Sequence, residues 1–113
     1  MTNRHCLALD LKNDEQAIAA YDRYHQAVWP DVLKSIRDAG IINMEIYRYQ
    51  NRLFMIMDVA DSFSFERKAA ADAANEKVQE WEALMATFQQ ALPGAAPDDS
   101  WRWKKMANIF SLD

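Results

Sequence analysis

Residues 41–60, IINMEIYRYQNRLFMIMDVA, constrain the fold most, because they predict two antiparallel strands joined by a two-residue turn at Gln50 and Asn51. The returning strand, LFMIMDV, carries few charges and is almost continuously apolar. A run of this kind is typical of a strand that is covered on both faces. On the first strand the two alternating sets of side chains are Ile42, Met44, Ile46 and Arg48, and Asn43, Glu45, Tyr47 and Tyr49.

The segment before this hairpin predicts one strand followed by two helices. RHCLALDL alternates along its length, which indicates a strand with at least one buried face. A residue that precedes proline is disfavoured in the helical conformation, so the helical pattern after this strand is expected to bend at Trp29–Pro30. The predicted elements are a strand over 4–11, a helix from Glu15 to about Val28 with an N-cap signal at Asn13 and Gln16, and a second helix from Pro30 to Gly40.

The segment after the hairpin predicts helix, loop and strand. Apolar residues at helical spacing continue to Leu92, and the pattern is interrupted near Asn75. PGAAPDDS, residues 93–100, holds two of the three prolines and is expected to be a loop. The predicted elements are a helical region capped by Asp61 or Ser62 and ending at Leu92, the loop, and a final strand in WRWKKMANIFSL, residues 101–112.

The resulting order is β, α, β, β, α, β, which is typical of the ferredoxin-like α+β fold. In this fold an antiparallel four-stranded sheet carries its helices on one face. A chain of 113 residues suits one such domain over residues 1–113. Since the apolar strand also needs cover on its other face, we expect two copies to pair their sheets in a homodimer.

Charge, hydropathy and cysteine content limit the partners and the cellular compartment expected for the protein. A net charge of −4 argues against nucleic acid as a partner, because phosphate backbones bind basic surfaces. The sequence has no apolar run of about 18 residues and no apolar core of a signal peptide, so no membrane association is expected. The lone Cys6 has no partner for an internal disulfide, which favours a reducing compartment, the cytoplasm.

The usual cofactor motifs are missing from the sequence. Its two histidines and one cysteine show no metal-ligand spacing, so no metal site is predicted. The two glycines, Gly40 and Gly94, form no phosphate-binding loop, and there is no GxSxG nucleophile motif. These absences favour either acid–base chemistry without a cofactor or simple binding.

YDRYHQAVWPD contains the strongest candidates for chemistry, because Tyr21, His25 and Trp29 are spaced four apart and share one helix face. Histidine exchanges protons near neutral pH, and a tyrosine one turn away can orient it or bond a substrate oxygen. Tyr47 on the hairpin is expected to reach a pocket shared with this helix. Trp29 and Trp81 offer flat apolar surfaces to the carbon–hydrogen face of a sugar ring.

Each candidate also has a purely structural interpretation. An aromatic stripe at helical spacing is more often core than ligand site, and a lone histidine such as His5 is more often a satisfied packing residue. Glu45 and Glu82 are by default solvated. On these residues alone, the function stays open between a small enzyme and a binding module.

The stretch AYDRYHQAVWPDVLKSIRDAGIINMEIYR resembles the L-rhamnose mutarotase family, which carries a similar tyrosine, histidine and Trp-Pro-acidic run. The resemblance continues through RLFMIMDV, VQEWEALM and ANIFSLD, so it spans nearly the whole chain. It implies a homodimeric ferredoxin-like enzyme that interconverts the α and β anomers of a 6-deoxy-L-hexose without a cofactor. The sugar is L-rhamnose, or L-fucose in a related branch.

The resemblance also implies roles for individual residues. His25 matches the family's general acid/base, Tyr21 the tyrosine that contacts the sugar, and Trp81 the first tryptophan of the pocket. Tyr47 is retained, and His25 is expected to move one proton while Tyr21 or Tyr47 polarises the other oxygen.

Two positions depart from the family pattern where sugar hydroxyls would be bound. Met44 stands where some members have a tyrosine, and Glu82 stands where they have a second tryptophan. Asn43 is a candidate to supply a lost polar contact. The sugar is therefore left open between L-rhamnose and L-fucose.

Two alternatives use the same fold. One is a ferredoxin-like monooxygenase of quinols or a haem-degrading protein, which a coloured preparation or a haem titration would reveal. The other is a non-enzymatic small-molecule sensor or dimerisation module, which would keep its affinity when His25 is replaced.

Overall fold

A computed structural model of the protein describes residues 2–94 and 103–112. The strands are β1 (Thr2–Leu11), β2 (Ile41–Tyr49), β3 (Arg52–Ala60), β4 (Gln89–Gln90) and β5 (Lys104–Lys105). The helices are α1 (Glu15–His25), α2 (Pro30–Asp38), α3 (Phe65–Ala73) and α4 (Glu76–Ala86). None of the helices in the described ranges is long and apolar enough to cross a bilayer.

The strands form one antiparallel sheet in the order β2–β3–β1–β4, and β5 also pairs with β1. β1 pairs with β3 along its length, from Thr2 opposite Ala60 to Asp10 opposite Arg52. Its other edge is shared, because β4 pairs at residues 10–11 and β5 at residues 7–8. This arrangement confirms the predicted ferredoxin-like α+β fold, with two short segments occupying the fourth strand position.

The core lies between the helices and one face of the sheet. The side chains that point to the helices are Leu7, Leu9 and Leu11 on β1 and Leu53, Met55, Met57 and Val59 on β3, and all of them are buried. They pack in two clusters with residues of the helices, including Val32 on α2 and Met85 on α4. Leu9 and Leu11 on β1 are 0% exposed, and Leu53 and Val59 on β3 are 1% exposed, so these two central strands hold the most deeply buried side chains.

The opposite face of the sheet, here called the open face, carries no helix in the described chain. Phe54 and Ile56 of β3 lie on it and are only half-buried. The C-terminal segment after β5 borders the same face through Met106 and Phe110. β3 was predicted to be covered on both faces. Within the described chain, its side chains are fully buried on the helix face and only half-buried on the open face.

The first two helices differ from prediction at their ends. Asp14, rather than Asn13, caps α1, because its carboxylate accepts from the Gln16 N–H at 3.1 Å. α1 ends at His25 instead of continuing to Val28. The bend is confirmed, since Trp29 has an extended ψ of 137° and Pro30 begins α2. Gly40 then turns the chain with a φ of +94°, a left-handed conformation that glycine adopts easily because it lacks a Cβ atom.

The second helical region also differs from prediction. The predicted cap at Asp61 or Ser62 is wrong, because Ser64 caps α3 through its hydroxyl. The helical region ends at Ala86, not Leu92, because the next residues pair with β1: Lys12 N–H donates to the Phe88 carbonyl at 2.8 Å. Among the described residues of the predicted final strand, only 104–105 form a strand. Residues 95–102, which include most of the predicted loop and the first two residues of that predicted strand, lie outside the described residues.

Asn75 separates α3 from α4, as predicted, and its side-chain oxygen accepts from Lys77 N–H at 3.1 Å and Val78 N–H at 3.2 Å. We expect Asn75→Ala to lower the free energy of unfolding by about 0.5–2 kcal/mol, because two N–H groups of the first turn lose their acceptor. Chemical denaturation monitored by circular dichroism measures this change. Asn75→Asp keeps the acceptor and should retain most of the stability, and an equal loss in both variants would contradict the capping role.

Candidate active site

His25 ends α1 with its ring held by the backbone of its own helix. Nδ1 lies 2.8 Å from the carbonyl oxygen of Tyr21, one turn earlier. A carbonyl only accepts, so Nδ1 carries the hydrogen and donates it. The neutral ring therefore keeps the Nε2 lone pair available for a proton, as a general base requires. The side chain is half-buried, so it is reachable from outside the core.

Aromatic rings surround the imidazole. The centroid of the Tyr21 ring lies 4.4 Å from that of His25, with 34° between the planes. Trp81 of α4 meets His25 edge-on at 5.6 Å and meets Trp29 at 5.2 Å. The structure thus brings together four of the predicted site residues, Tyr21, His25, Trp29 and Trp81.

A bidentate ion pair fixes the helix that carries Tyr21 and His25. The Arg48 guanidinium on β2 contacts both carboxylate oxygens of Asp22 on α1, at 3.0 and 2.7 Å. Its third nitrogen donates to the Gln50 carbonyl at 2.8 Å. Paired contacts of this geometry restrain orientation, so α1 is held against the end of the hairpin.

Tyr21 is part of the core as well as a neighbour of His25. It is 3% exposed and packs with Leu11, Leu53 and Trp81. Burial raises the pKa of its hydroxyl to about 12, because the phenolate would lose its hydration. Tyr21 is therefore a neutral phenol near neutral pH, suited to donate a hydrogen bond or a proton to a substrate oxygen.

Trp29 connects this aromatic group to the surface. It is half-buried and lines a cleft of about 300 Å³ with Pro30, Asp31 and Lys77. That volume is at the lower end for small-molecule sites. His25 is not among the residues lining this cleft, so Trp29 and Trp81 are the link between the cleft and the imidazole.

The structure does not bring Tyr47 and Asn43 to this group. Their cross-strand partners on β3 are Phe54 and Asp58, which point to the open face. The Tyr47 hydroxyl donates to Glu45 at 3.1 Å, and this bond raises the pKa of the phenol. The expectation that Tyr47 reaches a pocket shared with α1 is therefore wrong within one chain. Successive residues of a strand alternate between the two faces of the sheet. Met44 and Ile46 pack against the core below the helices, so Tyr47 and Asn43 face the other way.

Glu82 and Met44 lie on the same side of the sheet as His25. Glu82 follows Trp81 on α4 and is half-buried, so it is not the fully solvated carboxylate of the default interpretation. Met44 packs against the core cluster that contains Met57. Among the described residues, no three His, Cys, Asp or Glu side chains come close enough to hold a metal ion.

Sequence reasoning missed two residues near the site. Gln89 is 7% exposed, and its side-chain nitrogen lies 3.5 Å from the Tyr21 hydroxyl oxygen. The predicted helix to Leu92 hid it, although a polar pair in an apolar segment was a usable signal. Tyr24 meets Trp81 at 90° with centroids 6.2 Å apart and extends the aromatic surface.

Comparison with known proteins places this arrangement in context. A family model described as L-rhamnose mutarotase matches residues 4–112. An L-fucose mutarotase of Xanthomonas campestris is 46% identical over 111 residues, which cover 96% of this chain and 87% of the relative. An L-rhamnose mutarotase of Acidiphilium cryptum is 28% identical, over 83% of this chain and 88% of the relative.

A solved structure shows the same fold. The crystal structure of an L-rhamnose mutarotase from Formosa agariphila superposes with a TM-score of 0.70 at 23% sequence identity. The alignment covers 98% of this chain and 99% of that one. The whole described sheet and its helices therefore have a counterpart in that structure.

Proposed function

Because this chain belongs to the L-rhamnose mutarotase family, a family of isomerases, we propose that it interconverts the α and β anomers of a 6-deoxy-L-hexose. The observation that carries the proposal is the state of His25. Its Nδ1–H donates to the Tyr21 carbonyl, which leaves Nε2 able to accept a proton, and the rings of Tyr21 and Trp81 lie next to the imidazole.

The reaction divides into ring opening and ring closure. On opening, His25 Nε2 takes the proton of the anomeric hydroxyl, the bond between C1 and the ring oxygen breaks, and a C1 carbonyl forms. The ring oxygen receives a hydrogen bond and then a proton from the neutral phenol of Tyr21. After rotation of C1, the same steps in reverse close the ring on the other carbonyl face. Side-chain proton transfer suffices for both halves.

The structure supports Tyr21 over Tyr47 as the group that polarises the ring oxygen. Tyr21 lies against His25, whereas Tyr47 lies on the open face with its proton donated to Glu45. We assign the apolar face of the sugar to Trp29 and Trp81, and a hydroxyl contact to Glu82. Asn43 and Tyr47 are assigned to the dimer interface proposed below.

We infer that L-fucose is preferred over L-rhamnose. The support is sequence identity, 46% to a relative named L-fucose mutarotase against 28% to one named L-rhamnose mutarotase. The two sugars differ in the orientation of ring hydroxyls. Met44 and Glu82, which depart from the family pattern, lie on the side of the sheet where such hydroxyls would be bound.

Saturation-transfer proton NMR tests this function directly. Exchange between the two anomeric protons is measured for L-fucose, L-rhamnose and D-glucose under identical conditions. We expect acceleration for L-fucose, weaker acceleration for L-rhamnose and none for D-glucose. If none of the three exchanges faster than in buffer, the protein is not a mutarotase of these sugars.

We also propose that two copies pair through the open face. Phe54 and Ile56 present apolar surface there, and the C-terminal segment adds Phe110, which is 76% exposed and lines a cleft with Phe54. Ile109 and Leu112 of the same segment are 93% and 88% exposed. A cleft of about 850 Å³ lies between this segment and the sheet. Contiguous exposed apolar surface of this kind marks a protein interface.

Ile56→Lys tests the pairing. The new ammonium lies beside Glu45, the cross-strand partner of Ile56, so the single chain should still fold. We expect the variant to sediment as a monomer at concentrations where the wild type is a dimer, because pairing would bury an extra charge. Leu33→Lys, on α2 away from the open face, should leave the dimer unchanged. Wild-type protein that sediments as a monomer would contradict the proposal.

We place the protein in the cytoplasm. The support is the free thiol of Cys6, half-buried on β1. Unpaired thiols persist in reducing compartments. Labelling of this thiol in freshly lysed cells, before any reductant is added, would show whether it is reduced in vivo.

A further inference from the structure

Gln89 is a buried polar side chain directly behind the proposed site. It pairs with Leu11 through β4, so its side chain points toward the helices. Its amide nitrogen lies 3.5 Å from the hydroxyl oxygen of Tyr21. No step of the proposed reaction uses this side chain.

The direction of this hydrogen bond determines what the Tyr21 proton can do. An amide nitrogen only donates, so the phenol oxygen accepts from Gln89 and its own O–H is left to find an acceptor. The part of the chain that the structure describes provides no acceptor for it. Buried donors are nearly always paired, so a ligand oxygen beside His25 is the natural partner.

We propose that Gln89 is a positioning residue that holds the Tyr21 hydroxyl with its proton directed at the ring oxygen of the bound sugar. This inference rests on the proposed function, since it needs a sugar next to His25. Gln89 itself does not touch the sugar and acts only through Tyr21.

Gln89→Glu inverts the hydrogen bond with little change of shape. An ionised carboxylate only accepts, so the Tyr21 O–H would donate to it and no longer to the sugar. We expect L-fucose exchange at about pH 8 to fall by about 10–100-fold relative to wild type. When the carboxyl is protonated it can donate again, so the ratio of variant to wild-type rate should rise as the pH falls toward about 5.

The sign of this pH dependence separates the proposal from other effects. A side chain that only fills space would give the same ratio at every pH. A carboxylate that acted on His25 by its charge would favour the imidazolium, so the ratio would fall as the pH falls. An amide turned so that its oxygen accepts from Tyr21 would leave the variant fully active at pH 8. Any of these three results would overturn the proposal.

Two further variants complete the experiment. Gln16→Glu adds the same charge at the exposed start of α1, and its ratio to wild type should stay near one. If Gln89→Glu fails to fold, Gln89→Met removes the donor at equal length. In a Tyr21→Phe background Gln89→Met should slow exchange no further, and an additional loss there would overturn the proposal. Wild-type protein without catalysed exchange would instead contradict the proposed function.

Discussion

His25→Ala should lower the catalysed rate of L-fucose anomer exchange by about 10²–10⁴-fold, the usual contribution of a positioned acid or base. The fold should be retained, because His25 is half-buried and is not among the buried residues of the core clusters. Saturation-transfer NMR measures the rate, and circular dichroism measures the unfolding midpoint of the same samples.

The second histidine offers a matched control. His5 lies on β1, and its ring packs edge-on against that of Phe65 with centroids 5.0 Å apart. Phe65 packs against the core cluster that contains Met57, away from the cluster that contains Tyr21. His5→Ala should therefore leave exchange near the wild-type rate. Full activity in His25→Ala, or equal losses in both variants, would contradict the assignment of His25 as acid and base.

Leu9→Ala should lower the free energy of unfolding by about 2–5 kcal/mol, the range for a buried leucine truncated to alanine. Leu9 is 0% exposed on β1, which has β3 on one side and β4 and β5 on the other. The surrounding strands have little freedom to close the cavity, so the upper part of this range is expected. Equilibrium denaturation in urea measures the change.

Ile42→Ala is the control for this prediction. Ile42 is 61% exposed at the irregular start of β2, where the register shifts between Ile41 and Asn43. Removing the same kind of apolar group there should change stability by no more than about 0.5 kcal/mol. Similar losses for Leu9→Ala and Ile42→Ala would mean that β1 is not the centre of the core.

Features set by neighbours in the chain were predictable from sequence. The turn at Gln50–Asn51, the bend at Trp29–Pro30 and the break at Asn75 all depend on residues within one or two turns. The contact between Tyr21 and His25 belongs to this group as well, because residues four apart on a helix are neighbours wherever the helix lies.

Features set by distant partners were not predictable in the same way. Phe88 to Gln90 follow an apolar helical pattern, yet they leave the helix because their backbone pairs with the edge of β1, and the Phe88 carbonyl accepts from the Lys12 N–H. Tyr47 is instructive in a different sense. Its alternation with Ile46 already grouped it with Asn43 and Glu45, so the face of the strand, and not the nearness of the hairpin to the helix, decides which pocket it can reach.

The sequence by itself determined the order of the longer strands and helices and the aromatic stripe of α1 that holds Tyr21 and His25, because periodicity and backbone preference act locally. Only the tertiary structure decided that Trp81 closes on His25, that Gln89 lies behind Tyr21, and that Tyr47 faces away from both. These contacts join residues far apart in the chain. They form only when the helices pack on one face of the sheet, because the burial of apolar surface selects that face for all strands at once.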